Sequence, residues 1–390
     1  MMIRIPLHEQ PELAATSRPD LSRVRAPQYG RYLEDFVPSQ VFAHPRGFTF
    51  ERGDVRAFAT TFMQANPLYL NREYAQAHGF EDLLVSPQML FNVVLSLGVQ
   101  NDSEKAMANL GYYQAQFLRP VYPGDTVRAL TKVVDRRERG EGEPGIVHIR
   151  TLGVNRRGDT VLQYERKIMV RGSGHQPTQA SQGDEPPPFP WVEAPEVVLP
   201  LADGPKLRLT GGNTYLEDFA AGDIIVHANG RTITDEHVAW TYRVGNTHPL
   251  HYDRLYSRAQ SGPMSGEPIV YGGLVFAWLE GLASRDVSEN ALWELGFTEG
   301  YHTQPAFSGD TVTAISRVLA CEPGPAGAER SCGIVTMQLI GLKNIRGEQA
   351  LEKSGADLFI KETDKKSLGK EKTGEKIFEI ERRLLLKRRP

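Results

Sequence analysis

The hydrophobic and polar positions follow the same order twice along the chain. In each half, a segment with helical spacing opens with polar and acidic residues, at 51–54 and at 234–236. A longer apolar segment follows, over 86–99 and 272–284, and it has no clear polar face, so we expect a helix that is buried on most sides. Segments rich in β-forming residues come next in both halves. This order predicts an α+β fold in which an antiparallel sheet curls around a long helix.

The predicted strands lie after each long helix. They cover residues 112–118, 126–134, 146–154 and 161–170 in the first half and 301–305, 311–319 and 334–342 in the second. The Arg-Arg-Gly-Asp segment at 156–159 is typical of a tight turn between antiparallel strands. In the second half, either Thr234 or Asp235 can cap the helix that opens there.

The two halves also share sequence at a nearly constant offset, which indicates an internal duplication. The matching segments are YLEDF at 32–36 and 215–219, Asn-Pro-Leu-Tyr at 66–69 and His-Pro-Leu-His at 248–251, and Pro-Gly-Asp-Thr-Val at 123–127 and Ser-Gly-Asp-Thr-Val at 308–312.

We therefore divide the chain into two repeats and two further segments. The N-terminal repeat covers 30–170 and the C-terminal repeat 206–360. Residues 171–205 are rich in Pro and polar residues and are predicted to be a linker. The charged segment 361–390 is predicted to be a solvated tail or one surface helix, with a membrane or partner contact as the alternative.

Composition narrows the class of protein. The chain has 390 residues, 40% hydrophobic and 24% charged, which suffices for more than one core, and its net charge of -3 excludes a strongly basic nucleic-acid or membrane-surface protein. The two cysteines, Cys321 and Cys332, cannot form a disulfide scaffold or a CxxC-type zinc site. The N-terminus is too polar for a signal peptide, and the apolar segment 274–283 is too short to span a bilayer. We expect a cytoplasmic protein with no nucleic-acid or membrane partner.

The two repeats differ where chemistry is expected. The second repeat carries His248 and His251, whereas the first has Gln64, Asn66 and Tyr69 in the matching segment. Imidazole is the side chain that titrates near neutral pH, so the reaction is predicted to lie in the C-terminal repeat. His248 has packing or capping as its alternative role. No third ligand stands at a useful spacing, so no metal site is predicted.

Three segments of the second half resemble the MaoC-like (R)-specific enoyl-CoA hydratase family; they are residues 238–253, 269–274 and 305–310. The resemblance implies a double hot-dog fold, in which two repeats each have a long central helix wrapped by an antiparallel sheet. The family pattern is an Asp followed by Asn-Pro-Leu-His. Here Asn246 stands at the Asp position, His248 at the Asn position, and His251 keeps the histidine.

Further segments in both halves are similar to one branch of that family, the mesaconyl-CoA hydratases or β-methylmalyl-CoA dehydratases; they are residues 109–112, 117–126, 270–273 and 305–312. The similarity covers roughly residues 30–345. It implies reversible hydration of mesaconyl-CoA (2-methylfumaryl-CoA) to β-methylmalyl-CoA, with an acyl-CoA as substrate and no separate cofactor. It also implies that the N-terminal repeat helps to hold the CoA and acyl portions. We expect a homodimer or a higher homo-oligomer.

Hydration of an unsaturated thioester needs a base for water, N–H donors for the enolate oxygen and an acid for the α-carbon. With the resemblance, His251 is predicted to be the main acid–base residue. Asn246 cannot transfer a proton near neutral pH but can orient the water or an imidazole tautomer. The second base stays open between His248, Asp253 and Glu280.

The thioester is predicted to bind where the second long helix begins. The N–H of Gly273, with that of Gly272, is the predicted oxyanion hole, because a helix N-terminus presents unpaired N–H groups. The alternative is that both glycines only relieve crowding. Tyr271, directly before them, is predicted to contact the substrate. A dicarboxylic substrate also needs a cation, and the candidates are Arg119, Arg243 and Arg285.

Two rival functions remain at this stage. One is hydration of another enoyl-CoA, either straight-chain or itaconyl-type. The other is acyl-CoA binding without catalysis, which the Asn at position 246 favours.

Overall fold

The computed structural model describes residues 2–4, 20–174, 187–205, 214–260 and 265–389. The helices are α1 (Arg52–Thr61), α2 (Arg72–Ala77), α3 (Pro87–Gly98), α4 (Asp235–Val238), α5 (Trp240–Arg243), α6 (Arg254–Arg258), α7 (Gly272–Val287), α8 (Gly347–Ser354) and α9 (Glu362–Lys365). The strands are β1 (Val41–Thr49), β2 (Ala106–Phe117), β3 (Thr126–Arg137), β4 (Gly145–Asn155), β5 (Thr160–Val170), β6 (Ile224–Val226), β7 (Arg231–Thr232), β8 (Ala291–His302), β9 (Thr311–Pro323), β10 (Cys332–Lys343) and β11 (Lys376–Lys387).

The strands form one antiparallel sheet that runs through both repeats. Its order is β1-β3-β4-β5-β2-β8-β11-β10-β9-β6, and β7 pairs with β9. The repeats join edge to edge through β2 and β8, where Tyr112 pairs with Gly300. Within its own repeat, α3 packs against β1, β3, β4 and β5, and α7 packs against β9 and β10. This confirms the α+β double hot-dog arrangement.

Both long helices form where they were predicted. Ser86 caps α3 by accepting from the Met89 N–H, and Pro87 stands at the first helical position, where a missing N–H costs nothing. Every residue of α3 is buried, as expected from its lack of a polar face. The two helices touch near the molecular centre, where Phe91 and Phe276 meet edge to face at 6.4 Å. Each such buried side chain contributes about 1.5–3 kcal/mol relative to exposure.

Two other local predictions have mixed outcomes. The turn at 156–159 joins β4 to β5 as expected, with Gly158 at φ 86°. The predicted strand at 301–305 was wrong in its bounds, since β8 starts at Ala291. The first residues of β8 include the buried Glu294 and Gly296, which has φ 149°. These two residues interrupt the alternation of apolar and polar positions that marks a strand.

The charged segment 361–390 was predicted wrongly. Its residues 376–387 form β11, which lies between β8 and β10 in the middle of the sheet. The charges that suggested a solvated tail are buried: Lys376 pairs with Glu379 at 2.6 Å, and Arg382 pairs with Glu280 at 3.0 Å. The C-terminal repeat therefore extends to residue 387 rather than ending at 360.

Strand β11 is the counterpart of β5 in the other repeat. Gly111 pairs with Lys167, and Gly296 pairs with Arg383, and both glycines have positive φ, 152° and 149°. This register aligns Tyr-Glu-Arg-Lys at 164–167 with Ile-Glu-Arg-Arg at 380–383. The duplication thus continues to the C-terminus, displaced by the insertion between β10 and β11 that carries α8 and α9.

The described parts of the predicted linker, 171–174 and 187–205, contain no helix or strand. Residues 187–205 run along the N-terminal repeat, where the Val198 N–H donates to the Leu118 carbonyl at 3.1 Å. Residues 175–186 of that linker, and 206–213 at the start of the predicted C-terminal repeat, lie outside the described residues. Across the described segments, no helix is both long and apolar enough to cross a membrane.

Candidate active site

A cavity of about 310 Å³ lies between the two repeats, at the lower end of the usual size for a ligand site. The N-terminal repeat lines it with residues of α3, β2 and β5. The C-terminal repeat lines it with the predicted histidine segment, the start of α7 and the end of β8. The lining residues used below are Leu95, Asn109, Tyr112, Arg166, Asn246, His248, His251, Tyr271, Gly272 and His302.

His251 ends a single 3-10 turn, Pro249–His251, and lines the cavity. Its Nδ1 lies 2.9 Å from the Ile269 carbonyl oxygen. A carbonyl can only accept, so Nδ1 carries the hydrogen and Nε2 of the neutral ring has its lone pair available. Burial lowers the pKa of His251 to about 4, so the ring is a neutral base at neutral pH.

His248 sits at the cap of the same turn and uses both ring nitrogens for structure. The Leu250 N–H donates to its Nδ1 at 3.2 Å, and its Nε2–H donates to the Ala106 carbonyl at 3.4 Å. Burial, and secondarily the charge of His251, lower the pKa of His248 to about 3. With both nitrogens occupied, His248 has no lone pair left to act as a base.

The first repeat makes the same pair of contacts with an amide. Asn66 accepts from the Leu68 N–H at 3.0 Å and donates to the Ala291 carbonyl at 2.8 Å. Ala291 corresponds to Ala106 in the duplicated strands β8 and β2. The neutral imidazole of His248 therefore takes the place of the capping amide of Asn66. His248 is a capping residue, which was the alternative to a catalytic role.

Asn246 is buried and lines the cavity beside this turn. Its Oδ1 accepts from the His248 N–H at 2.9 Å, so it holds the turn that carries both histidines. Its amide nitrogen donates no hydrogen bond to another described residue. That amide is the polar group that replaces the Asp of the family pattern.

The start of α7 separates the two predicted glycines. Gly272 lines the cavity, and a Cβ there would lie 2.6 Å from the His302 ring. Gly273 is not a lining residue; a Cβ there would lie 2.0 Å from the Asn92 Oδ1 of α3. Both glycines thus relieve crowding, as the alternative stated. Their N–H groups still belong to the first helical turn, which has no intrahelical acceptor for them.

Tyr271 caps α7 by position, and its ring centroid lies 5.3 Å from that of His251. Burial raises the pKa of this phenol well above its ordinary value, so it stays neutral.

His302 is a third imidazole of the cavity that the sequence analysis missed. Its Nε2 lies 3.3 Å from the Tyr112 hydroxyl, and its ring borders Gly272. Burial, and secondarily the charge of His251, lower its pKa to about 4. The available signal was the duplication itself, since His302 stands where the first repeat has Phe117.

The chain matches the family model for mesaconyl-CoA hydratase over residues 13–348. The chain belongs to the mesaconyl-CoA hydratase family. It is 31% identical to a mesaconyl-CoA hydratase of Cereibacter sphaeroides over 328 residues, covering 81% of this chain and 90% of that protein. It is also 31% identical to a beta-methylmalyl-CoA dehydratase of Chloroflexus aurantiacus over 296 residues, covering 75% and 82%. These relatives are hydratases and dehydratases, and the chain is a hydro-lyase.

Solved structures agree with the fold. A MaoC domain protein dehydratase from Chloroflexus aurantiacus superposes with a TM-score of 0.77 at 26% identity, covering 94% of this chain and 100% of that one. A Mycobacterium tuberculosis protein described as a double hotdog fold gives a TM-score of 0.69 at 19% identity, covering 92% and 98%. The family match ends before β11, so the strand that completes the sheet lies outside it.

Two candidates for the second base lie away from the cavity of this hydratase-family fold. Asp253 caps α6 by accepting from the N–H groups of Leu255 and Tyr256, at 2.9 and 3.0 Å. Glu280 pairs with Arg382 at the position that the duplication relates to the cavity, and that position is filled by side chains. Of the candidates named from sequence, His248 alone lines the cavity, and it serves as a cap. His302 is the remaining imidazole on the cavity wall.

None of the three arginines proposed from sequence lines the cavity. Arg243 is exposed over the Trp240 ring at 5.0 Å, and Arg285 is exposed beside Asp286 at 3.2 Å. Arg119 is partly buried outside the cavity lining. The arginine that does line the cavity is Arg166, which lies on a strand of the other repeat, so closeness in sequence to the motifs did not locate it. Among the described residues, no group of three or more His, Cys, Asp and Glu side chains could hold a metal ion.

Proposed function

We propose that the chain catalyses the reversible hydration of mesaconyl-CoA to β-methylmalyl-CoA in this cavity. The observation that carries the proposal is the fixed tautomer of His251, whose Nδ1–H is held by the Ile269 carbonyl while Nε2 keeps its lone pair beside the start of α7. Family membership and the names of the two relatives support the choice of substrate.

In the proposed mechanism, Nε2 of His251 takes a proton from water as the water oxygen bonds to the β-carbon. The electron pair of the double bond moves through the α-carbon to the thioester oxygen. The N–H of Gly272, which lines the cavity, stabilises the enolate oxygen at the N-terminus of α7. The α-carbon then takes one proton, so that one water is added overall.

His251 delivers that proton, because it returns the one that it took from water. Both groups then add to the same face of the double bond. Asn246 holds the catalytic turn and offers its unbonded amide nitrogen to the attacking water. Tyr271 packs against the His251 ring and limits its rotation.

Every step is a proton transfer or an addition to a polarised double bond, so we propose that no cofactor is needed beyond the CoA of the substrate. A homodimer or higher homo-oligomer and a cytoplasmic location stay predictions. Size-exclusion chromatography with light scattering tests the first, and fractionation of cells tests the second.

The direct assay follows the absorbance of the conjugated thioester. We expect mesaconyl-CoA to lose this absorbance without release of free thiol, with a kcat/KM at least about tenfold above those of crotonyl-CoA and itaconyl-CoA. Faster turnover of crotonyl-CoA would indicate a straight-chain hydratase, and faster turnover of itaconyl-CoA an itaconyl-type hydratase. Binding with no absorbance change would indicate an acyl-CoA-binding protein, and thiol release a thioesterase.

A further inference from the structure

Arg166 of β5 is a buried cation on the cavity wall, and some of its N–H groups have no hydrogen-bond acceptor among the described residues. It is 6% exposed and lines the cavity. Its Nη2 donates to the Ser103 Oγ at 3.2 Å and lies 3.6 Å from the Asp102 carboxylate. Its Nε is buried and donates to no described residue, and no hydrogen bond joins Nη1 to one either. A buried guanidinium with unmet donors favours an anionic ligand, because leaving such groups unpaired is costly.

The duplication shows an arginine that pairs with two carboxylates at the corresponding position. Arg382 of β11 corresponds to Arg166, since the aligned registers of β5 and β11 place both one residue before the partner of a kinked glycine. Its Nη2 donates to Glu280 at 3.0 Å, and its Nε donates to Glu294 at 3.2 Å. Both carboxylates are buried, so the protein itself supplies the anions there.

Around Arg166, the residues that correspond to those two glutamates are uncharged. The two long helices can be aligned through one repeated hydrogen bond. The Val85 N–H donates to the Val121 carbonyl, and the Val270 N–H donates to the Ala306 carbonyl, both at 2.9 Å. In this alignment of α3 with α7, Leu95 corresponds to Glu280. Two residues before each kinked glycine stand Asn109 in β2 and Glu294 in β8. Leu95 and Asn109 both line the cavity. The two carboxylates that pair with Arg382 therefore have no counterpart on the cavity wall beside Arg166.

We infer that Arg166 binds the distal carboxylate of the substrate and thereby selects dicarboxylic over monocarboxylic acyl-CoA thioesters. The inference rests on the proposed function. In mesaconyl-CoA this carboxylate is bonded to the β-carbon, so a guanidinium–carboxylate pair fixes the carbon that water attacks. The pair also neutralises a charge that would repel the developing hydroxide. A planar fork suits this group better than an ammonium does.

The test compares two thioesters that differ only at this group. Tiglyl-CoA, (E)-2-methylbut-2-enoyl-CoA, carries a methyl where mesaconyl-CoA carries the carboxylate. Hydration of both is measured with the wild type, Arg166→Met and Arg166→Lys. We expect the ratio of kcat/KM for mesaconyl-CoA over tiglyl-CoA to fall at least about 100-fold in Arg166→Met and about tenfold in Arg166→Lys, mainly through the KM for mesaconyl-CoA.

The outcomes separate the two claims. If the wild type does not hydrate mesaconyl-CoA, the proposed function fails. If the wild type does so and the ratio is unchanged in Arg166→Met, the inference on Arg166 fails while the function stands. Should Arg166→Met not fold, Arg166→Lys decides by the same ratio, and an unchanged ratio overturns the inference. Arg243→Met, an exposed arginine away from the cavity, is the matched control and should keep the wild-type ratio.

Discussion

The two repeats place equivalent backbone in equivalent positions, yet one position is a cavity and the other is filled. The histidine site has Leu95, Asn109 and Arg166 around open space, whereas the Arg382 cluster has Glu280 and Glu294 closed on a guanidinium. The two positions differ in their side chains rather than in their fold. A duplicated domain can thus keep the same sheet and assign binding to one copy and stability to the other.

The short turns that face these positions repeat the contrast. His248 and Asn66 make matching hydrogen bonds, so the turn is the same in both repeats. One residue of the turn differs in chemistry, with His251 in one repeat and Tyr69 in the other. The architecture is shared, and the imidazole stands only in the copy for which we propose catalysis.

The largest effect is expected from removing that imidazole. His251→Ala should lower kcat by about 10²–10⁴-fold, the usual contribution of a positioned general base. Tyr69→Phe, at the matching position, should leave kcat within about twofold. Both are measured by the absorbance assay, with circular dichroism to verify folding. Near-wild-type kcat in His251→Ala would remove the assignment, and a large loss in Tyr69→Phe would remove the contrast.

The second test concerns stability. Arg382→Gln leaves Glu280 and Glu294 buried without their cation and should lower the free energy of unfolding by about 3–5 kcal/mol. Arg166→Gln should cost less than half of that, because among the described residues Arg166 has one carboxylate partner, Asp102, at 3.6 Å. Urea unfolding of both variants measures the difference. Equal losses would show that the two arginines do the same structural task.

The third test is the pH dependence of stability. The pKa values of His251, His248 and His302 are lowered to about 4, 3 and 4, mainly by burial. The unfolded chain, with ordinary histidine pKa values near 6.5, binds protons that the folded chain does not. The free energy of unfolding should therefore be highest above pH 6.5 and fall by several kcal/mol in all as the pH decreases to about 4. Urea unfolding between pH 4 and 8 measures this.

A triple variant separates the contribution of these histidines from that of carboxylates that titrate in the same pH range. His248→Asn, His251→Asn and His302→Phe together should reduce the slope between pH 6.5 and pH 5, while His44, His78 and His237, whose pKa values burial also lowers, still contribute to it. An unchanged slope in that variant would mean that the buried histidines are not its source.

The smallest effect is expected from His248→Asn, which restores the residue of the other repeat. The amide can make both contacts, as Asn66 does, so the free energy of unfolding should change by less than about 1 kcal/mol and kcat by a few-fold at most. His248→Ala lacks the cap and should cost about 1 kcal/mol or more. A loss of kcat in His248→Asn as large as that in His251→Ala would give His248 a direct role in proton transfer.

The sequence predicted the duplication, both long helices and the turn with His251, because local periodicity and the internal match record those features. It missed β11, whose charges are neutralised by partners far along the chain, such as Glu280 for Arg382. It also missed His302 and Arg166, because both act through contacts between segments that are far apart in sequence. They line a cavity between the two repeats, and no local spacing shows which side chains meet there.

The most direct test of the account is a crystal structure of His251→Ala with mesaconyl-CoA bound. We expect the thioester oxygen within hydrogen-bond distance of the Gly272 N–H, about 2.7–3.2 Å, and the distal carboxylate on the Arg166 guanidinium. An acyl group bound outside this cavity, or one with its carboxylate turned away from Arg166 and its thioester far from α7, would contradict it.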